Sequence, residues 1–283
     1  MTGKSSALER TLKHCLLIFV TMVTLFPVLF VFKLAFTEGQ SLNIGLEPWP
    51  TEPSLSNFEH LVTRQDQSGN LLFVHQISNS IIVSAVTTLI GIFLSCTAAY
   101  SLSRFRFPGR GAALFSFLIS QMFPGTLMLI PIYIILNKLN LLDSLSGLIL
   151  VYSTTAIPFC VWMLKGYFDT IPIELEEAAR IDGASPFVIF YRIILPLARP
   201  AIAVTALFSF MTAWNEFILA ATFLEREISY TMPVVLQQFV GQYGGSWGYF
   251  AAASVVVSLP VVLLFFLLQR HLVSGLMAGS VKG

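Results

Sequence analysis

Six apolar runs, each long enough to cross a bilayer as a helix, constrain this chain more than any other feature. They are Cys15–Phe36, Ile81–Leu102, Ala112–Leu136, Leu145–Leu164, Ala201–Phe223 and Phe250–Leu268. About 20 apolar residues suffice for a span. A backbone surrounded by lipid must satisfy its own hydrogen bonds, so runs of this length are helices rather than strands. The sequence therefore predicts an all-α integral membrane protein with six transmembrane helices. Pro27, Pro124, Pro131 and Pro158 fall inside spans and predict kinks.

Composition agrees. The chain is 55% hydrophobic and 11% charged, and its mean hydropathy is +0.78. Soluble domains carry about 25% charged residues. A net charge of +1 gives no case for a nucleic-acid partner. Cys15, Cys96 and Cys160 lie in apolar runs without metal spacing, and read as small hydrophobes. The four histidines are scattered, so neither a metal site nor a catalytic triad is visible. The first run is too long for the apolar core of a cleaved signal peptide and reads as an uncleaved anchor.

Lys and Arg set the orientation. With the N-terminus inside, the cytoplasmic segments hold Lys4, Arg10, Lys13, Arg104, Arg106, Arg110, Lys165, Arg180, Arg192, Arg199, Arg270 and Lys282. The outside keeps Lys33, Arg64, Lys138 and Arg226. Both termini are thus expected in the cytoplasm: a short N-terminal segment over 1–14, a six-helix transmembrane domain over 15–269, and a tail over 270–283. The outside loops, Thr37–Ser80, Asn137–Ser144 and Leu224–Tyr249, read mostly as connections, with room for a soluble partner.

The inside loop over 165–200 carries two helix signatures. The first opens near Pro172 with Glu174, Glu176 and Glu177 in its early turns, where acids complement the helix dipole, and closes at Gly183. The second has Ser185 as N-cap and Pro186 at its first position, runs over Phe187–Leu195, and stops at Pro196. The expected product is a helix-turn-helix with a small, flat tip of Ala178, Ala179, Gly183 and Ala184. Such a tip fits a cleft on another protein, where Glu177, Arg180 and Asp182 can pair with charges. The alternative is an amphipathic linker on the membrane surface, which needs neither the tight glycine turn nor the prolines.

Glu177-Ala178-Ala179, three residues, Gly183, nine residues, Ile193, one residue and Leu195-Pro196 resemble the EAA loop of ATP-binding-cassette importer permeases. Asn79-Ser80, Ala99-Tyr100 through Arg104 to Gly109, Gln121-Met-Phe-Pro124 and Trp214-Asn215-Glu216-Phe217 are similar to the carbohydrate-uptake (MalFG) branch of that family. The ending from Gln269 to Gly283 is similar to the tail of its MalG-type permeases, although Trp214–Phe217 is not distinctive for maltose. The resemblance implies a bacterial inner-membrane subunit that imports maltose, maltodextrin or a related oligosaccharide. It also implies a MalF-like second permease, two copies of a MalK-like ATPase holding ATP and Mg, and an extracytoplasmic sugar-binding protein. By the same resemblance, Gly279, Ser280, Val281, Lys282 and Gly283 are candidates for contact with the ATPase. By composition alone they are a frayed terminus.

Asn215 and Glu216 are the notable polar pair inside a span. At about 1.5 Å per residue, Glu216 lies roughly 22 Å from Ala201, towards the outer side. A substrate-path or gate role and an interhelical hydrogen bond both fit. Gly3-Lys4-Ser5 lacks the residues and strand that precede a phosphate loop, so ATP hydrolysis is expected on a separate subunit and this chain is expected not to be an enzyme. Two rival readings are a permease of the same superfamily for a non-sugar substrate and an ion-coupled secondary transporter. The latter usually pairs ionisable groups at the midplane and repeats its broken helices; one intramembrane carboxylate and no obvious repeat are found.

Overall fold

The computed structural model describes residues 7–42, 49–241 and 245–278. Its helices are α1 (Ala7–Ala35), α2 (Ser56–Thr63), α3 (Leu72–Arg104), α4 (Arg110–Met122), α5 (Leu129–Lys138), α6 (Leu145–Phe168), α7 (Glu174–Ile181), α8 (Pro186–Ile189), α9 (Leu195–Leu197), α10 (Arg199–Trp214), α11 (Ile218–Phe223), α12 (Met232–Phe239) and α13 (Trp247–Ala278). Among the described residues the one extended pairing is an isolated bridge between Gln65 and Leu71.

Among the described residues, α1, α3, α6 and α13 are each long and apolar enough to span alone, and two bent helix pairs raise the total to as many as six by length and composition, the second pair joining the stretch over Pro186–Leu197 to α10. The third span is not the continuous helix expected over Ala112–Leu136. α4 stops at Met122, and the helical stretch over Gly125–Lys138 departs at 94°. Pro124 lacks an N–H and forces the residue before it out of the helical region. Phe123 accordingly sits at φ −78°, ψ 128°. Pro27 and Pro158, by contrast, lie within α1 and α6 without ending them. The expected fifth span over Ala201–Phe223 is also interrupted: α10 ends at Trp214 and α11 begins at Ile218. α13 continues to Ala278, so the expected tail boundary at 270 falls inside a helix.

The chain divides into two compact units, one drawn from Met1–Phe73 and Leu236–Leu259, the other from Val74–Val235 and Pro260–Gly283. In the first, Asn57 is 1% exposed and acts as a polar staple. Its amide donates to the carbonyls of Ala35 (3.1 Å) and Thr37 (2.8 Å) and accepts from Gln40 (2.9 Å). Gln40 in turn accepts from the backbone of Trp247 and Tyr249. A Cβ on Gly248 would meet the Gly39 carbonyl at 2.4 Å, so glycine permits this close approach.

The second unit packs through small and polar contacts, as helices do where lipid removes the hydrophobic drive. Gly91 on α3 faces Ser209 on α10, and Ser95 donates to the Ile157 carbonyl at 3.3 Å. Two apolar clusters sit at opposite ends of α6. One surrounds Val151, Tyr152 and Phe223. The other surrounds Leu164, Phe168, Ile189 and Ile194 and supports the loop described next.

Candidate coupling site

α7 opens after Pro172 and ends in a Schellman closure: Gly183 N donates to Arg180 O at 3.0 Å, and Ala184 N to Ala179 O at 2.9 Å. Gly183 has φ +82°, a conformation that penalises any side chain. Ser185 caps α8 by accepting from Val188 N at 3.4 Å, with Pro186 at the first helical position. The helix-turn-helix expected from the prolines and the glycine is therefore formed.

Its second arm does not stop at Pro196. It widens into a π turn over Phe190–Ile194 and continues as α9 to Leu197, before the chain bends by 76° into α10. A proline inside a helix removes one backbone donor, and a wide turn before it accommodates the ring. Ala198, fully buried, marks the bend.

The matched motif divides into two halves. Glu177, Ala178, Arg180, Asp182 and Gly183 are exposed and lie together along α7 and its cap. Ala179, Ile193 and Leu195 pack on the apolar cluster, and Pro196 is half-buried beside the bend. The tip is less bare than expected. Ile181 is 87% exposed and Phe187 75%, and Phe187 stacks on Tyr191 at 6.5 Å. Large apolar groups held outward beside small residues form a contact surface.

The three early glutamates do not act alike. Glu177 faces outward, whereas Glu176 is fully buried. Glu176 forms an ion pair with Arg104 at the end of α3 and accepts from the Tyr100 hydroxyl at 2.9 Å. Arg104 also donates to the Ile171 carbonyl at 2.9 Å. Nearby, Asp169 accepts from Ser103 (2.7 Å) and Lys165 (2.6 Å). Burial alone would raise the Asp169 carboxyl, but these donors hold it below the usual carboxylate value. In sequence Glu176 reads as a complement to the helix dipole, and Tyr100 and Arg104 enter only through the family resemblance and, for Arg104, the orientation. The available signal was their spacing, since residues four apart share one helix face.

At the break between α10 and α11, Asn215 turns back and donates to the Met211 carbonyl at 2.8 Å. Glu216 accepts from Leu219 N (3.0 Å) and Ala220 N (3.2 Å), so it caps α11, and it accepts from the Tyr152 hydroxyl at 2.7 Å. Its carboxylate borders a mainly apolar cavity of about 850 Å³, which Ser116, Ser120, Gln121, Thr154 and Thr155 also line. Gln121 fastens the broken third span to α6 by donating to the Thr155 carbonyl at 3.1 Å. Of the polar pair, only Glu216 reaches the cavity. Asn79 and Ser80 hold the stretch before α12: Asn79 donates to Ile228 O and Tyr230 O, and Ser80 accepts from Met232 N at 2.7 Å. Gly279, Ser280, Val281, Lys282 and Gly283 lie outside the described residues.

Apolar helices of bilayer length, shorter helices broken beside a cavity, and a capped helical loop between spans are the architecture of an integral membrane transport component. The chain belongs to the family described as the binding-protein-dependent transport system inner membrane component, whose model matches residues 89–277. It is 36% identical over 289 aligned residues to the inner membrane ABC transporter permease protein YcjP of Escherichia coli, covering 100% of both chains. It is 37% identical to the maltose/maltodextrin transport system permease protein MalG of Salmonella typhimurium, over 99% of this chain and 98% of that one. Its fold matches a chain of a bacterial ABC transporter involved in the import of the acidic polysaccharide alginate. That match has a TM-score of 0.79 at 23% identity, covering 96% of this chain and 100% of that chain.

Proposed function

We propose that this chain is the permease subunit of an ATP-driven carbohydrate importer, taking up maltose, maltodextrin or a related oligosaccharide. Full-length similarity to a maltose/maltodextrin permease supports the substrate class. The observation that carries the coupling role is the Schellman-capped α7, which holds Glu177, Ala178, Arg180, Asp182 and Gly183 together on an exposed surface.

In this reading the loop lies in the cytoplasm with both termini and docks in a cleft of a MalK-like ATPase. Two ATPase copies bind ATP and Mg, a MalF-like permease completes the pathway, and a sugar-binding protein delivers substrate from outside. Closure of the ATPase dimer carries the docked tip with it. Ile193, Leu195 and Pro196 transmit that displacement through the bend at Ala198 into α10. The Asn215–Glu216 break lies at the far end of α10, beside the cavity, where rotation alters access to the sugar path. The residues Gly279–Gly283 extend the ATPase contact. Coupling of this kind is reciprocal: loaded binding protein outside favours ATPase closure inside.

The test is hydrolysis by the reconstituted complex with and without binding protein and maltodextrin. The reading expects stimulation only when both are present. Hydrolysis indifferent to sugar, or an ATPase that does not assemble with this chain, contradicts it.

A further inference from the structure

Resting on that reading, we infer that the Glu176–Arg104 pair fastens the coupling helix α7 to α3, so that α3 moves with α7 as one body when the ATPase closes. The flanking spans α6 and α10 join the helix-turn-helix through the chain itself, by a loop and by the bend at Ala198. Connections of that sort allow rotation. α3 is distant in sequence, and what ties it to α7 is a shared apolar cluster together with a set of buried side-chain bonds.

That set is closed on itself. Glu176 has both carboxylate oxygens occupied, one by Arg104 and the other by the Tyr100 hydroxyl. The side chains of the pair are 7% and 1% exposed. The other two nitrogens of Arg104 each donate once, to the Ile171 carbonyl and to Ser103, whose hydroxyl is itself bonded to Asp169. Tyr100 then reaches the second arm: its ring lies 4.9 Å from Phe190 at the start of the π turn and meets Phe168 edge-on. One end of α3 thus grips both arms of the helix-turn-helix.

A buried ion pair in which both partners carry further hydrogen bonds resists opening, because separation leaves charge without solvent. It is a rigid joint rather than a sliding contact. The adjacent glutamates divide the work, since about 100° of helix rotation separates them: Glu177 faces the partner and Glu176 faces α3. Glu176 and Arg104 are positioning residues in this account, acting on the sugar path through α3.

The experiment uses the reconstituted complex, with nitroxide labels at exposed Glu174 on α7 and exposed Phe93 on α3. Their distance is measured by double electron–electron resonance in nucleotide-free and ATP-trapped states. The expected result is one unchanged distance in both states. In Glu176→Gln the distance becomes state-dependent, hydrolysis continues, and sugar transported per ATP falls on the order of ten-fold, within the usual range for a coupling link. Should Glu176→Gln fail to assemble, Arg104→Lys and Tyr100→Phe are read the same way.

A distance that shifts between states in the parent chain, or a Glu176→Gln complex with full transport per ATP, overturns the inference. Failure of the underlying reading looks different: the parent chain would not retain the ATPase, or hydrolysis would ignore sugar.

Discussion

Tyr152 on α6 donates its hydroxyl to Glu216 at 2.7 Å, across the point where the fifth span breaks. The same carboxylate caps α11, so one side chain both starts a helix and holds it to a neighbour. Glu216→Ala removes the cap, at about 1 kcal/mol, and leaves the Tyr152 hydroxyl unpaired at about 1–2 kcal/mol more. The complex should still assemble while transport in proteoliposomes falls. Glu216→Gln, which keeps an acceptor, should retain more activity than Glu216→Ala.

Gly183 allows shape and backbone to be separated. A Cβ there meets nothing within 4 Å, so Gly183→Ala introduces only strain in a left-handed conformation, roughly 1–2 kcal/mol. The alanine variant should keep the ATPase and lose part of its transport. Gly183→Trp should release the ATPase or uncouple hydrolysis from transport, read by co-purification and by sugar-dependent ATPase activity. Equal behaviour of the two variants would count against a docking tip.

The turn before α6 should depend on pH. Asp143 accepts from the backbone of Glu225 and Arg226 and pairs with the Arg226 guanidinium. Burial alone would raise its carboxyl, but the Arg226 and backbone donors hold it below the ordinary 3.8. A carboxyl lowered in the folded state stabilises fully above its unfolded value. That stabilisation is lost as pH falls through the lowered folded value. Arg226 is largely exposed, so the effect should not exceed about 1 kcal/mol. The detergent-solubilised melting temperature of Asp143→Asn should lie below the parent's at pH 7, and the gap should close in acid below pH 3.8.

Asn79 tests the opposite end of the second unit from the coupling loop. It holds two carbonyls, of Ile228 and Tyr230, that no helix satisfies. Asn79→Ala should loosen the stretch before α12 by about 1–3 kcal/mol. The expected readout is faster proteolysis between Glu225 and Met232, with α7 and its ATPase contact unaffected.

The fold class was legible because bilayer thickness fixes the length of an apolar run and leaves helices as its answer. The cap at Gly183 and the start at Ser185–Pro186 were legible because each follows from local backbone chemistry. The breaks were less so. Pro124 was expected to kink a helix and instead ends one, while Pro158 lies within α6 without ending it, because tertiary packing decides whether a missing backbone bond is tolerated. The buried pairing of Glu176 was hidden for a related reason. In sequence that residue is one of three acids at a helix start, and only the arrival of Arg104 from 72 residues earlier makes it a buried partner. The exposed Ile181 and Phe187 were likewise hidden, since apolar residues in a short helix read as core-facing.

The central claim is that the α7 tip docks on a separate ATPase in the cytoplasm. Ala178→Cys, in a chain with Cys15 replaced by Ser, tests it through a short bifunctional thiol reagent in membranes that contain the assembled complex. The account predicts an adduct between this chain and the ATPase, whose yield changes with ATP, and no modification by a membrane-impermeant thiol reagent added from outside. Outside labelling of Ala178→Cys, or the absence of any ATPase adduct in a complex that still transports sugar, would contradict it.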